Sequence, residues 1–278
     1  MNRKYIYPLV IIIVTVALYY ADDFLDTDKK SATKTSNTTQ RISEEFNDSF
    51  LPTSTTGVIA KHNAFTLSYS EKDEQAEWVA YELKRKDLSK NEFERPYFIE
   101  DKKVKTKSAD WRNYKNSGYD RGHLCPAGDR NISFEAYNET FLTSNISPQD
   151  HDFNAGIWNR LEQKVRFWAE KYDGVYVVTG GVLKGNMKTI GDENVSVPNE
   201  FYKIIVDASD AVPAGRQGNY KAIAFVIPNK PSSESFYEYA VSIDEIEAKT
   251  GIDFFPNLPD SIENKMEQMI DLKAWGRK

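Results

Sequence analysis

The chain has 278 residues, 40% hydrophobic, 28% charged and 13% aromatic, the balance of a globular protein with a sizeable core. Its net charge of −6 argues against tight non-specific binding of nucleic acid over the whole surface, but not against a local basic cleft. A single cysteine, Cys125, excludes an intrachain disulfide and a multi-cysteine zinc site.

Arg3 and Lys4 precede an apolar run over residues 5–21, and Asp22 and Asp23 follow it. A basic start before an apolar stretch reads as an export signal or a membrane anchor. No small-x-small cleavage site follows the run. The reading is an uncleaved signal-anchor over residues 1–21, with its positive end inside and the rest of the chain outside the cytoplasm. A cleaved signal, giving a secreted or periplasmic protein, is the alternative. Residues 22–55 carry no apolar periodicity and read as a flexible polar linker. The folded domain is then expected over residues 56–278.

Within that domain, residues 65–69 alternate as a strand does, and residues 78–83 read as a second strand. Residues 93–115 lack periodicity and read as a long loop. From Asp101 to Arg130 there are eight Lys/Arg against four Asp, a local balance of +4 in an acidic chain. That contrast suits a phosphate-facing surface, although most charge runs are solvated loops. A short helix is expected near residues 135–137 and a polar loop over 143–149. The clearest helix spans about 153–172, where Trp158, Leu161, Val165 and Trp168 repeat at three and four residues. Strands follow at 175–181, 201–206 and 222–227. A helix at 242–250 is capped by Ser242 and closed by Gly251, and a last helix is expected at 262–272. Strands without βαβ alternation argue for an α+β fold with a mainly antiparallel sheet flanked by helices.

Chemistry concentrates in Asp120-Arg121-Gly122-His123. On a strand, Arg121 and His123 project to one face and Asp120 to the other. A cation beside a general base suits an anionic substrate such as a phosphodiester. A surface turn with a hydrogen-bonded histidine is the plainer reading. Cys125 leaves a Cys-His nucleophile open, against a small buried residue. His151 and Asp152 could form a competing pair, against a place at the helix entry. On the long helix, Asn154 lies one turn before Trp158, within the stripe or at the N-cap. Glu162 and Arg166 sit four apart at the stripe's edge, as a simple i,i+4 pair would.

Taken together, Asp120-Arg121-Gly122-His123, Asn145, Asn154-x-x-x-Trp158-x-x-Leu161-Glu162-x-x-x-Arg166 and the segments Val178-Thr179-Gly180 and Pro198-Asn199-Glu200-Phe201-Tyr202-Lys203 resemble the DNA/RNA non-specific endonucleases. The resemblance implies a ββα-metal finger in which a helix crosses two strands. It implies His123 as general base, Asn154 as the direct ligand of Mg²⁺ (or Mn²⁺), and Glu162 holding metal-bound water. It implies Arg121 and Arg166 on the phosphate, Arg95 as a further phosphate ligand, and Asn145 supporting the site or touching substrate. Asp120 is expected to orient the loop or the histidine. DNA and RNA are the implied substrates, cut to 5′-phosphate and 3′-hydroxyl ends, and the N-terminal segment implies a membrane partner. The rival readings are a metal-dependent phosphodiesterase acting on small or lipid-linked substrates, and a non-catalytic nucleic-acid-binding relative.

Overall fold

The computed structural model of the protein describes residues 48–207 and 220–277. The expected anchor and residues 22–47 of the expected linker lie outside the described residues. Among the described residues, no helix is long and apolar enough to cross a membrane.

In chain order the strands are β1 (Ile59–Lys61), β2 (Thr66–Ser70), β3 (Gln75–Lys84), β4 (Asp120–His123), β5 (Ile146–Gln149), β6 (Gly174–Gly181), β7 (Lys188–Ile190), β8 (Val195–Val197), β9 (Glu200–Asp207), β10 (Lys221–Pro228) and β11 (Ala240–Val241). The α-helices are α1 (Phe134–Glu139), α2 (Asn159–Lys171), α3 (Ile243–Thr250) and α4 (Asp260–Glu267). Seven strands form one sheet in the order β1-β2-β3-β6-β9-β10-β11, every neighbouring pair antiparallel. β4 and β5 form a separate ribbon, as do β7 and β8. The expected α+β class holds.

Alternation along the central strands splits the core in two. Tyr81, Val177, Phe201, Ile205 and Phe225 face α2, whose Leu161, Val165, Trp168 and Ala169 are buried against them together with Trp158. Trp78, Ala80, Ile204, Val206 and Ala224 face the other way, onto Ile243 and Ile246 of α3 and Met266 of α4. Each large side chain buried this way contributes roughly 1.5–3 kcal/mol. The i, i+3, i+4 stripe read from the sequence is the face of α2 that meets the sheet.

Four expectations need correction. Residues 146–149, expected within a polar loop, are β5, paired with β4 from Asp120↔Gln149 to His123↔Ile146. Ser147, Pro148 and Gln149 disguise it, because a two-stranded ribbon tolerates a proline where no ladder donor is needed. The long helix opens with a π turn over Phe153–Trp158, where Gly156 leaves helical geometry at φ −95°, ψ −107°. The last helix ends at Glu267, short of residue 272. Finally, the body starts before residue 56. Phe50 is 3% exposed and stacks on Tyr176 at 3.9 Å, and Trp78 Nε1 donates to the Thr53 carbonyl at 2.9 Å. Thr55 binds the Glu77 carboxylate through its backbone N and its hydroxyl.

Candidate active site

The ribbon presents two chemically different faces, as period-two alternation requires. On one face Arg121 and His123 rest on an aromatic bed. The His123 ring meets Phe141 edge-on at 5.0 Å and Phe98 at 5.7 Å between centroids. The Arg121 guanidinium lies 5.3 Å from the Phe98 centroid and 5.4 Å from that of Trp111. Arg95 comes in from the long loop to the same rings, 5.6 Å from Phe98 and 5.5 Å from Phe141. Cations over aromatic faces are held electrostatically by about 0.5–2 kcal/mol each. Thus Arg95, Arg121 and His123 converge, although nearly thirty residues of loop and strand separate the first from the last.

Among the described residues, no carboxylate bonds to His123 Nε2. Its Nε2 is buried and has no hydrogen-bond partner. Burial, and secondarily the charge of Arg95, lower its pKa from the usual 6.5 to about 3. The imidazole is therefore neutral at physiological pH.

The other face of β4 turns to the helix. Asp120 Oδ2 accepts from Asn154 Nδ2 at 2.9 Å and contacts His151 Nδ1 at 3.0 Å. A carboxylate only accepts, so it selects the Asn154 amide orientation. The Asn154 amide oxygen then points away from Asp120 and, among the described residues, accepts no hydrogen bond. Asp120 orients the asparagine, not His123, and His151 pairs with Asp120 rather than with Asp152. The bond to Asp120 and the high exposure of the ring hold His151 largely at the surface, with its pKa raised mainly by that bond. Gly122 is required between these groups: a Cβ there would fall 2.1 Å from Gln149 Oε1 across the ribbon.

About two and three turns beyond Asn154, on α2, Glu162 and Arg166 join a buried charge cluster. Arg166 Nε donates to Asp129 Oδ1 at 2.7 Å, and its terminal nitrogen lies 3.8 Å from Glu162 Oε2. The second Asp129 oxygen accepts from Tyr81 Oη of the central sheet at 2.9 Å. Lys203 projects from β9 into the same space, fully buried, with Nζ 4.6 Å from the Trp158 ring centroid and no hydrogen-bond partner. Burial raises Glu162 to about 7; Lys203 and Arg166 pull it down and Asp129 pushes it up. Burial lowers Lys203, and the neighbouring acids oppose that shift.

Three sequence-selected groups lie elsewhere. Asn145 is fully buried, accepting from Cys125 N at 2.8 Å and donating to the Cys125 and Thr140 carbonyls at 2.9 Å. Its amide brackets the turn after His123 and leaves no polar atom facing solvent. Burial pushes the Cys125 thiol up to about 12, so it is not a thiolate at neutral pH. Arg130, counted in the basic stretch, is buried over the Tyr81 ring at 4.7 Å. The exposed basic groups of that stretch are Lys102, Lys103, Lys105, Lys107, Arg112 and Lys115. Sequence reasoning missed Asp129, Lys203 and the rings of Phe98, Trp111 and Phe141. The one visible signal was a lysine in the apolar run Phe201–Val206.

A histidine-bearing ribbon docked through Asp120 onto a kinked helix, beside a large antiparallel sheet, is the architecture of a ββα-metal nuclease. The profile of the DNA/RNA non-specific endonuclease family matches residues 42–261, and the chain belongs to that family. It is 34% identical over 218 residues to a nuclease of Nostoc sp., covering 75% of this chain and 77% of that protein. It is 38% identical over 176 residues to the mitochondrial nuclease EXOG of Danio rerio, covering 58% of this chain and 47% of the relative. Among solved structures, the crystal structure of the EndoG/EndoGI complex aligns with a TM-score of 0.65 at 28% identity, over 72% of this chain and 86% of that one. The chain thus spans about half the length of the zebrafish relative, and most of the length of the Nostoc nuclease.

Proposed function

We propose that this chain is a metal-dependent endonuclease that hydrolyses phosphodiester bonds of DNA and RNA with little sequence preference. The observation that carries the reading is His123: a neutral, unpartnered imidazole on an aromatic bed, flanked by Arg95 and Arg121. The two arginines hold a bridging phosphate by charge and by paired N–H groups. His123 accepts a proton from water, and the oxygen adds to phosphorus opposite the 3′ oxygen. The P–O3′ bond breaks, leaving a 5′-phosphate, and the 3′ oxygen takes its proton from solvent. The set is built of groups that suit phosphate rather than base edges, which supports low sequence preference.

The residues fit a hard divalent ion, Mg²⁺ or Mn²⁺. The Asn154 amide oxygen is a neutral oxygen donor freed by the bond from Nδ2 to Asp120. Such an ion supplies positive charge at the phosphate and the leaving oxygen. Asp120 fixes the Asn154 donor, Glu162 accepts from water on that side, and Arg166, braced by Asp129, adds a further positive charge.

The test is plasmid DNA and RNA incubated side by side with the protein, with Mg²⁺ or with EDTA. Cleavage of both, abolished by EDTA and by H123A, is expected, with N154A shifting the Mg²⁺ titration to higher concentration. Hydrolysis of a small bis-aryl phosphodiester without nicking of plasmid would instead select the small-substrate reading. The basic residues Arg3 and Lys4 before an apolar run support a body tethered outside the cytoplasm. Resistance of the protein to alkaline extraction from membranes checks that placement.

A further inference from the structure

A second cluster of carboxylates lies on the opposite face of the sheet from α2, where α3 and α4 cover the core built around Trp78, Tyr202 and Phe254. One oxygen each from Asp244, Glu247 and Glu267 lie within 4.8 Å of one another. One oxygen each from Asp253, Glu263 and Glu267 do the same. Glu267 therefore belongs to both groups and sits where α3, the turn after it and α4 meet.

Clustered surface acids alone mean little. Glu267 is different because it is buried, only 6% exposed, and its Oε1 has no hydrogen-bond partner. A carboxylate taken out of water is normally given donors or a cation. Here its near neighbours are four more acids. Among the described residues, none of the recorded ion pairs brings a lysine or arginine to any of the five. One member is already positioned: the Phe254 backbone N donates to Glu247 Oε1 at 2.8 Å, as outer hydrogen bonds fix carboxylate ligands.

We propose that Glu267, with Asp253 and Glu263, binds one calcium ion that clamps the turn after α3 to α4, while Asp244 and Glu247 face the shared Glu267 from α3. The donors are all hard oxygens, with no imidazole or thiolate. Calcium accepts six to eight oxygens at about 2.4 Å with loose geometry, so ligand oxygens facing each other across the ion lie about 4.8 Å apart. Magnesium holds its ligands closer and keeps most of its waters, which suits a site of one or two carboxylates. The clamp is structural and independent of the ribbon chemistry, so neither reading depends on the other.

The test uses the full 278-residue chain, stripped with EDTA and dialysed. Calcium binding is counted by equilibrium dialysis with radioactive Ca²⁺, and thermal unfolding is followed with Ca²⁺ or with Mg²⁺. The parent chain is expected to bind one more Ca²⁺ than E267Q or D253N/E263Q. Saturating Ca²⁺ is expected to raise its unfolding temperature by about 5 °C, as ligand binding to the native state does, with a smaller rise from Mg²⁺. Neither variant shows that rise, and both keep parental nicking of plasmid. Should E267Q fail to fold, D253N/E263Q decides, since Asp253 is exposed and Glu263 only part-buried. Equal Ca²⁺ counts in parent and D253N/E263Q, or an unfolding temperature unmoved by millimolar Ca²⁺, would overturn the site. An equal rise from Mg²⁺ would overturn the assignment to calcium. A protein that fails to nick DNA yet loses its Ca²⁺ response in D253N/E263Q would remove the nuclease reading alone.

Discussion

A carboxylate beneath a helix stays ionised only if something nearby holds its charge, and for Glu162 that group is Lys203. The lysine has no hydrogen-bond partner, lies over Trp158 and lowers the proton affinity of a glutamate that burial has brought to about 7. Removing the cation moves Glu162 upward, and each unit above the working pH cuts its ionised fraction about tenfold. Lys203→Met should therefore lower nicking at pH 7 by about tenfold and recover much of it toward pH 9; an unshifted pH profile for kcat would refute the role. For His123 the sign is opposite. Burial chiefly, and Arg95 in addition, keep the imidazole unprotonated well below 6.5. The acid limb of kcat/KM, which reports the free enzyme, should lie below pH 6.5. Arg95→Ala should move it upward while leaving it below 6.5, because burial remains. Of these residues His123, Glu162 and Arg95 could be named from the sequence. Lys203 could not be assigned a purpose, because nothing in a strand of alternating apolar residues says which acid faces it across the core.

At the scale of elements, the site depends on a ribbon that is not part of the main sheet. β4 could be anticipated from Arg121 and His123 sharing a face, but β5 could not, since Ser-Pro-Gln carries neither apolar alternation nor strand propensity. Its pairing is enforced by tertiary contacts: Ser147 Oγ donates to Gln75 Oε1 of β3 at 2.6 Å, and Asn229 Nδ2 to the Pro148 carbonyl at 3.2 Å. The π turn was equally hidden, because the apolar spacing from Trp158 onward is that of an ordinary helix. Gly122 leaves no room for a Cβ against the buried Gln149. Gly122→Ala should cost roughly 1–3 kcal/mol by overpacking, read from urea unfolding. Shortening the opposing side chain in Gly122→Ala/Gln149→Ala should restore part of that loss. A single variant as stable as the parent would show that the ribbon can open to admit a methyl group.

Over the whole molecule, composition and strand patterning were enough for the α+β class, the antiparallel sheet and the helix that covers it. They failed at the N-terminal edge of the body. Residues 50–55 are Phe-Leu-Pro-Thr-Ser-Thr, polar enough to read as tether, yet Phe50 fills the core near Tyr176, Tyr220 and Phe255. One buried ring in six residues leaves no periodic signal. A chain started at residue 46 should unfold at the parental denaturant concentration. A chain started at residue 56 should lose at least the roughly 3–5 kcal/mol of a buried phenylalanine. Equal midpoints for the two would show that the segment is dispensable.

The chain has three histidines, and the fold gives each a different chemical address. His62 is locked to the buried Asp101 at 2.8 Å, His151 lies in solvent beside Asp120, and His123 sits among aromatic rings without a polar partner. In nitrogen-edited NMR of the imidazoles the three should therefore resolve without mutagenesis. His123 should be displaced by ring currents, and His151 should titrate above the usual imidazole range because of its bond to Asp120. The protein thus carries its own spectroscopic labels: His151 reports on Asp120, which grips Asn154, and His123 reports on the arrival of an anion between the two arginines.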